Sequence, residues 1–166
     1  MKITSDLFLR GDVWLKLREV LIDKHQIFAR VVDYFVVACS IGVAADAWTE
    51  SDGDLSNTIA RDTYQVNYDI SDIFDFMFKN AILTSKLIDY PIDIRLKMAF
   101  DDEFKDDAFS TSLFIVKFAN YGAQKILEIC SEHDIETADN FIELVNDYIA
   151  DNYKDNMDKL LEDIEF

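Results

Sequence analysis

The sequence predicts an all-α fold: a single compact domain, residues 1–166, of five to six helices around two central, closely packed buried helices. Three observations carry this. Four Gly and one Pro in 166 residues leave few turns, which disfavours a many-stranded sandwich or barrel. Half of the residues are apolar and 13% are aromatic, enough to bury a core and too much for a disordered acidic tail. Apolar residues also recur at helical three-and-four spacing in several separate segments.

The first helix is expected to start at Asp12, with its carboxylate as the cap, and to carry Trp14, Leu17, Val20 and Leu21 on one face. A second starts near Gln26 and runs through Ile27, Phe28, Val31, Val32, Phe35, Val36 and Cys39, becoming apolar all round, as a central helix must. Its Ala38, Gly42 and Ala45 share a face and admit a neighbouring helix at short range. The helical period fails from Asp46 to Tyr68, where Glu50-Ser51-Asp52-Gly53-Asp54 is a turn cluster. Within that stretch Tyr64, Val66 and Tyr68 alternate as in a short, unpartnered strand. Helix returns at Ser71 with the stripe Ile73, Phe74, Met77, Phe78, Ala81 and Ile82, ending near Thr84. Pro91 suits the first position of a short helix over 92–100. A charged connector leads to a long helix over about 108–130, whose Ile115, Ala119, Gly122, Ile126 and Ile129 face the Ala38-Gly42-Ala45 surface. Thr137 can cap a last helix or helix pair bearing Phe141, Leu144, Val145, Tyr148, Ile149, Tyr153, Leu160, Leu161 and Ile164.

The formal charge is −17, from 33 acidic and 16 basic residues, and it is unevenly placed. Residues 1–45 sum to +1 while residues 131–166 sum to −10. In that last segment Asp139, Glu143, Asp147, Asp151 and Asp155 recur every fourth residue and so stack on one helix face. Like charges at this spacing each cost roughly 0.2–0.5 kcal/mol. Such a row is either a solvated face or a surface that meets a basic partner, where the repulsion is relieved and the field speeds encounter. Mimicry of a duplex is a third reading, but stacked carboxylates about 6 Å apart are sparser than the phosphates of one DNA strand, about 3.4 Å apart.

A surface this negative disfavours direct capture of nucleic acid or of an anionic membrane. The longest uncharged apolar run, Tyr34 to Ala45, is shorter than the roughly 20 residues of a spanning helix, and charges interrupt the first thirteen residues, so a cytoplasmic location is expected. Cys39 and Cys130 lie in apolar helical patterns and are read as reduced packing residues. His25 and His133 belong to no metal or di-iron motif, and Ser40-Ile41-Gly42 is no nucleophile elbow. Asp52-Gly53-Asp54 lacks the spacing of a calcium loop. Asp101, Asp102, Glu103, Asp106 and Asp107 could hold a divalent cation or cap flanking helices. No catalytic residue, cofactor or metal is assigned.

Asn120 and Tyr121 stand out because packing alone does not require them in the middle of a core helix. The expectation is that Asn120 leaves the seam or bonds a neighbouring backbone, with Tyr121 half-buried. Three stretches together, Tyr34–Gly42, Ile73–Met77 and Phe118-Ala119-Asn120-Tyr121-Gly122-Ala123-Gln124-Lys125-Ile126-Leu127, resemble the small accessory proteins associated with DNA-phosphorothioation (Dnd) and related antiphage defence loci. Lys117 stands where that family tends to carry an acidic residue, and Asp46 and Glu50 where it carries basic ones. The resemblance implies a non-enzymatic accessory with no catalytic residues to transfer. Combined with the acidic row, it leads to an expected function: binding a larger, basic, nucleic-acid-handling protein in phage defence or a mobile element. A DNA-mimic inhibitor and a divalent-metal protein using residues 101–107 are the alternatives, and a homo-oligomer is compatible with each.

Overall fold

The computed structural model describes the backbone of residue 3 and of residues 5–65 and 68–162, and the side chains of these except 65, 68 and 153–162. The chain opens with a strand, β1 (Leu7–Arg10), followed by α1 (Asp12–Arg18), which continues as π-helical turns over Glu19–Lys24. Then come α2 (Val31–Ala44), β2 (Leu55–Ile59), α3 (Arg61–Gln65), α4 (Tyr68–Thr84), α5 (Ile92–Phe100), α6 (Thr111–Glu132) and α7 (Ala138–Glu162).

The fold is therefore mostly helical but not all-α. β1 pairs antiparallel with β2, Leu7 opposite Ile59 and Leu9 opposite Asn57, with an irregularity after Leu9. Leu7 and Leu9 are fully buried while Phe8 faces out, so one face of this ribbon closes the core. The strand expected around Tyr64 and Val66 is instead the short helix α3, and the true strand lies just before it; Val66 is outside the described residues. Neither strand alternates legibly, since Leu7-Phe8-Leu9 is apolar throughout and Ser56-Asn57-Thr58 is polar throughout. Two glycines with positive φ, Gly11 (+91°) and Gly53 (+82°), close the ribbon. Gly11 N–H donates to the Asp54 carbonyl at 3.0 Å, and a Cβ at Gly11 would lie 2.8 Å from the Asp52 carbonyl oxygen.

At the centre, α2 crosses α6 at backbone contact. A Cβ on Gly42 would fall on the Phe118 carbonyl oxygen, and one on Gly122 would fall on the Ala38 carbonyl oxygen. The pair of small-residue faces expected from spacing is thus the seam of the molecule. Ala38, Cys39, Ile115, Phe118, Ala119, Ala123 and Ile126 are fully buried around it. Seven helices stand among the described residues where five or six were expected.

Several helix starts are corrected. α1 starts at Asp12 as expected, but its cap is Gly11 with no side-chain bond, so the Asp12 carboxylate does not cap it. α2 begins at Val31, five residues after Gln26, because Gln26 adopts φ +52° and turns the chain, leaving Ile27 and Phe28 to pack as a connector. Pro91 is the cap of α5 and lies one position before its first residue. α6 starts at Thr111, where Ser110 Oγ accepts from Leu113 N–H. The C-terminus of α2 ends in a left-handed residue, Asp46 (φ +45°), with Asp46 N–H to Val43 O at 3.1 Å and Ala47 N–H to Gly42 O at 3.0 Å. That bond pair is a Schellman closure, with Asp46 where glycine is usual. Between α4 and α5, Arg95 reaches back to staple the loop, donating to the carbonyls of Ser85 (2.8 Å), Tyr90 (2.9 Å) and Ile88.

Candidate functional site

α7 presents the acidic row. Thr137 Oγ1 accepts from Asn140 N–H at 3.1 Å, as expected of the cap, and the helix then lays Phe141 and Val145 into the core at 0% and 4% exposure. Phe141 meets Phe28 edge-on at 5.8 Å, and the Tyr148 hydroxyl lies 3.4 Å from that of Tyr121. Burial pushes the Tyr148 hydroxyl well above its ordinary pKa, and the bond to Tyr121 adds to this. With the inner face so anchored, Asp139, Glu143, Asp147 and Asp151 are all exposed on the outer one. The side chain of Asp155 lies outside the described residues. A rise of about 1.5 Å per residue stacks the four carboxylates at about 6 Å intervals, so the row is a ladder of fixed negative charge. On the neighbouring helix, Lys125 is held by Glu128 at 2.6 Å, and that bond raises the pKa of the lysine.

Asn120 has a role that sequence reasoning only half anticipated. It is buried at 3% exposure, its Oδ1 accepts from Trp14 Nε1 at 3.0 Å, and its Nδ2 donates to Thr49 O (3.2 Å) and Ser51 Oγ (3.1 Å). One amide thus joins α1, α6 and the 46–54 loop. Nearby, Lys117 pairs with Glu50 at 2.6 Å and sits 5.1 Å above the Trp48 ring, fixing the same loop from outside. These contacts border a polar cleft of about 420 Å³ lined by Arg10, Asp12, Glu50, Asp52, Asn120 and Gln124. The signal for this cluster was a buried-type Trp and a polar residue in two apolar stripes, which spacing cannot pair across 106 positions.

The acidic connector is occupied with its own backbone. Asp101 Oδ1 accepts from Glu103 N–H and Asp106 Oδ1 from Ala108 N–H, both at 2.9 Å, while Asp106 Oδ2 accepts from the Tyr90 hydroxyl at 2.9 Å. Among the described residues no three His, Cys, Asp or Glu side chains converge on a point where a metal ion could sit. Asp52 Oδ1 takes the Gly53 N–H at 2.7 Å, a turn. Cys39 is buried and Cys130 partly so, and both are free thiols. Burial raises the Cys39 pKa far above its ordinary value and that of Cys130 to about 11, which leaves neither as a ready thiolate. Ser40 Oγ donates back to Val36 O at 3.0 Å.

An apolar groove of about 680 Å³ runs between the C-terminal ends of α2 and α4, walled by Val43, Met77, Leu83, Phe76, Phe100 and Ile149. No helix among the described residues is long and apolar enough to cross a membrane. No family model, curated protein or solved structure matches the chain.

Proposed function

We propose that this chain is a non-enzymatic interaction protein that binds a larger, basic, nucleic-acid-handling partner through the outer face of α7, in bacterial phage defence or a mobile element. The observation that carries the reading is the joint exposure of Asp139, Glu143, Asp147 and Asp151 on a helix whose opposite face is locked by Phe141 and Val145. A row of like charges that costs its own helix stability becomes favourable when a cationic surface neutralises it, and its field accelerates the encounter. The biological setting rests on the resemblance of the Tyr34–Gly42 and Phe118–Leu127 stretches to Dnd-associated accessory proteins.

The test is capture from cells of the source organism with tagged wild-type chain and with the amide variant D139N/E143Q/D147N/D151N/D155N. The expected result is a basic protein retained by the wild type, lost by the variant, and still retained when duplex DNA is added. Equal capture by both chains overturns the reading. Displacement by DNA transfers the row to a nucleic-acid-mimicking inhibitor, since a mimic and DNA would share one groove.

A further inference from the structure

We propose that the α4–α5 hairpin is a self-association surface that docks a second copy of this chain across a two-fold axis. On α5, Ile92, Leu96 and Phe100 follow one another at four-residue spacing and are 62%, 46% and 65% exposed, while Met98, on the opposite side, and Ala99, at the edge of the stripe, are buried. α4 adds Phe76 at 68% exposure beside them. The two sets meet at Phe100: Lys79 of α4 lies 5.7 Å from the centre of its ring, and Phe76 and Phe100 both line the 680 Å³ groove.

Two properties select a second copy as the occupant. The first is charge. Residues 68–100 contain five acidic and four basic residues, so this hairpin carries only one of the seventeen net negative charges. Two copies of a strongly acidic protein repel through their other surfaces but can approach here. The charges are also self-complementary. Asp93 and Lys97 are both exposed on α5, beside the apolar stripe. In an antiparallel crossing of two α5 helices centred on Leu96, Asp93 of one copy comes within about 3 Å, along the axis, of Lys97 of the other. The reciprocal pair forms by symmetry, as a two-fold interface requires.

The second property is area. An aromatic side chain presents on the order of 200 Å², so two-thirds-exposed Phe76 and Phe100 with Ile92 and Leu96 leave a patch on the order of 500 Å². Two such patches, with the Lys79, Asp93 and Lys97 rim, reach the roughly 1,000 Å² at which a specific interface becomes credible. That size corresponds to a weak, reversible dimer. Raising the salt concentration should strengthen it, because screening removes the long-range repulsion between acidic copies and leaves apolar burial intact.

Sedimentation equilibrium of the intact chain at about 100 μM and moderate salt tests this. The expected mass is twice 19.2 kDa, with the dimer fraction rising with salt, and L96D/F100D at the same concentration should sediment as the 19.2 kDa monomer. The amide variant of the α7 row should remain dimeric, which separates this surface from the one proposed to bind the basic partner. A monomeric wild type overturns the proposal and leaves the patch to a different protein. A dimer that survives L96D/F100D overturns it in favour of another face. Because both substitutions lie at exposed positions, a matching thermal melt establishes that the variant is folded. Should it not be, slowed amide exchange over 92–100 on concentrating the wild type gives the same decision, and unchanged exchange overturns the proposal.

Discussion

Trp14 Nε1 donates to Asn120 Oδ1 at 3.0 Å, joining two fully buried residues 106 positions apart in the chain. The indole belongs to α1 and the amide to α6, and the other end of that amide holds the backbone of Thr49. A buried polar group is tolerated only when its hydrogen bonds are made, and here a single side chain satisfies both neighbours.

Replacing Asn120 with Leu should therefore cost more than an average core change. The Trp14 N–H and the Thr49 carbonyl lose their partner, at about 1–3 kcal/mol for an unsatisfied buried group. Urea unfolding of N120L, W14F and the double variant should reveal non-additivity: the double variant should lose less than the sum of the two single losses, because the Trp14–Asn120 bond is shared, while the Thr49 bond and the indole packing are lost separately. Additive losses would show that the two side chains act independently.

Gly42 and Gly122 should not tolerate even alanine. Each added methyl meets backbone of the other helix rather than a side chain that can rotate away. The α2–α6 seam would have to open, and a loss of about 3 kcal/mol or more for each, beyond the usual range for overpacking, is expected in chemical denaturation. Ala119→Gly at the same seam removes a methyl without a clash, so it should cost less than either.

Neutralising the centre of the α7 row should stabilise the protein. Asp147 has Glu143 and Asp151 as its stacked neighbours, so D147N removes two repulsions of roughly 0.2–0.5 kcal/mol each. Thermal melts at low ionic strength should show a higher Tm for D147N than for wild type, and the difference should shrink in high salt. The same substitution weakens partner capture if the row binds a basic surface, so stability and binding move in opposite directions.

The two thiols should respond to alkali in a fixed order. Cys130, raised to about 11, alkylates slowly at neutral pH and accelerates as pH approaches that value; Cys39, more deeply buried, reacts on the timescale of unfolding. The linkage has a definite sign. A thiol whose folded pKa is raised binds its proton longer in the folded state, so its contribution is complete below the unfolded value near 8.5 and is lost as pH rises through about 11. Stability followed by denaturant midpoint should fall over that window, and C130A should fall less.

Helices were legible where one periodicity dominated. The stripe Ile73, Phe74, Met77, Phe78, Ala81 and Ile82 predicts α4, and it does so because an amphipathic helix records its burial in its own spacing. The short helix over 92–100 was equally legible, yet its significance was not. Which of its side chains are covered is decided by packing: Met98 and Ala99 are buried, whereas Ile92, Leu96 and Phe100 are exposed. The β1–β2 ribbon was illegible because its two strands are some 45 residues apart, and pairing between distant segments leaves no local pattern in strands this short.

By itself the sequence determined the helical character of the chain, the two small-residue faces that bring α2 and α6 into backbone contact, the Thr137 cap, and the four-residue recurrence of Asp139, Glu143, Asp147 and Asp151. All of these are local: spacing along one helix fixes which side chains share a face. Tertiary structure alone decided that Leu7–Arg10 finds Leu55–Ile59, that Asn120 meets Trp14 and Thr49, and that the apolar stripe of α5 is left uncovered. Those outcomes depend on which distant segments compete for the same buried surface, a choice settled by the summed burial and hydrogen bonding of the whole chain rather than by any one segment.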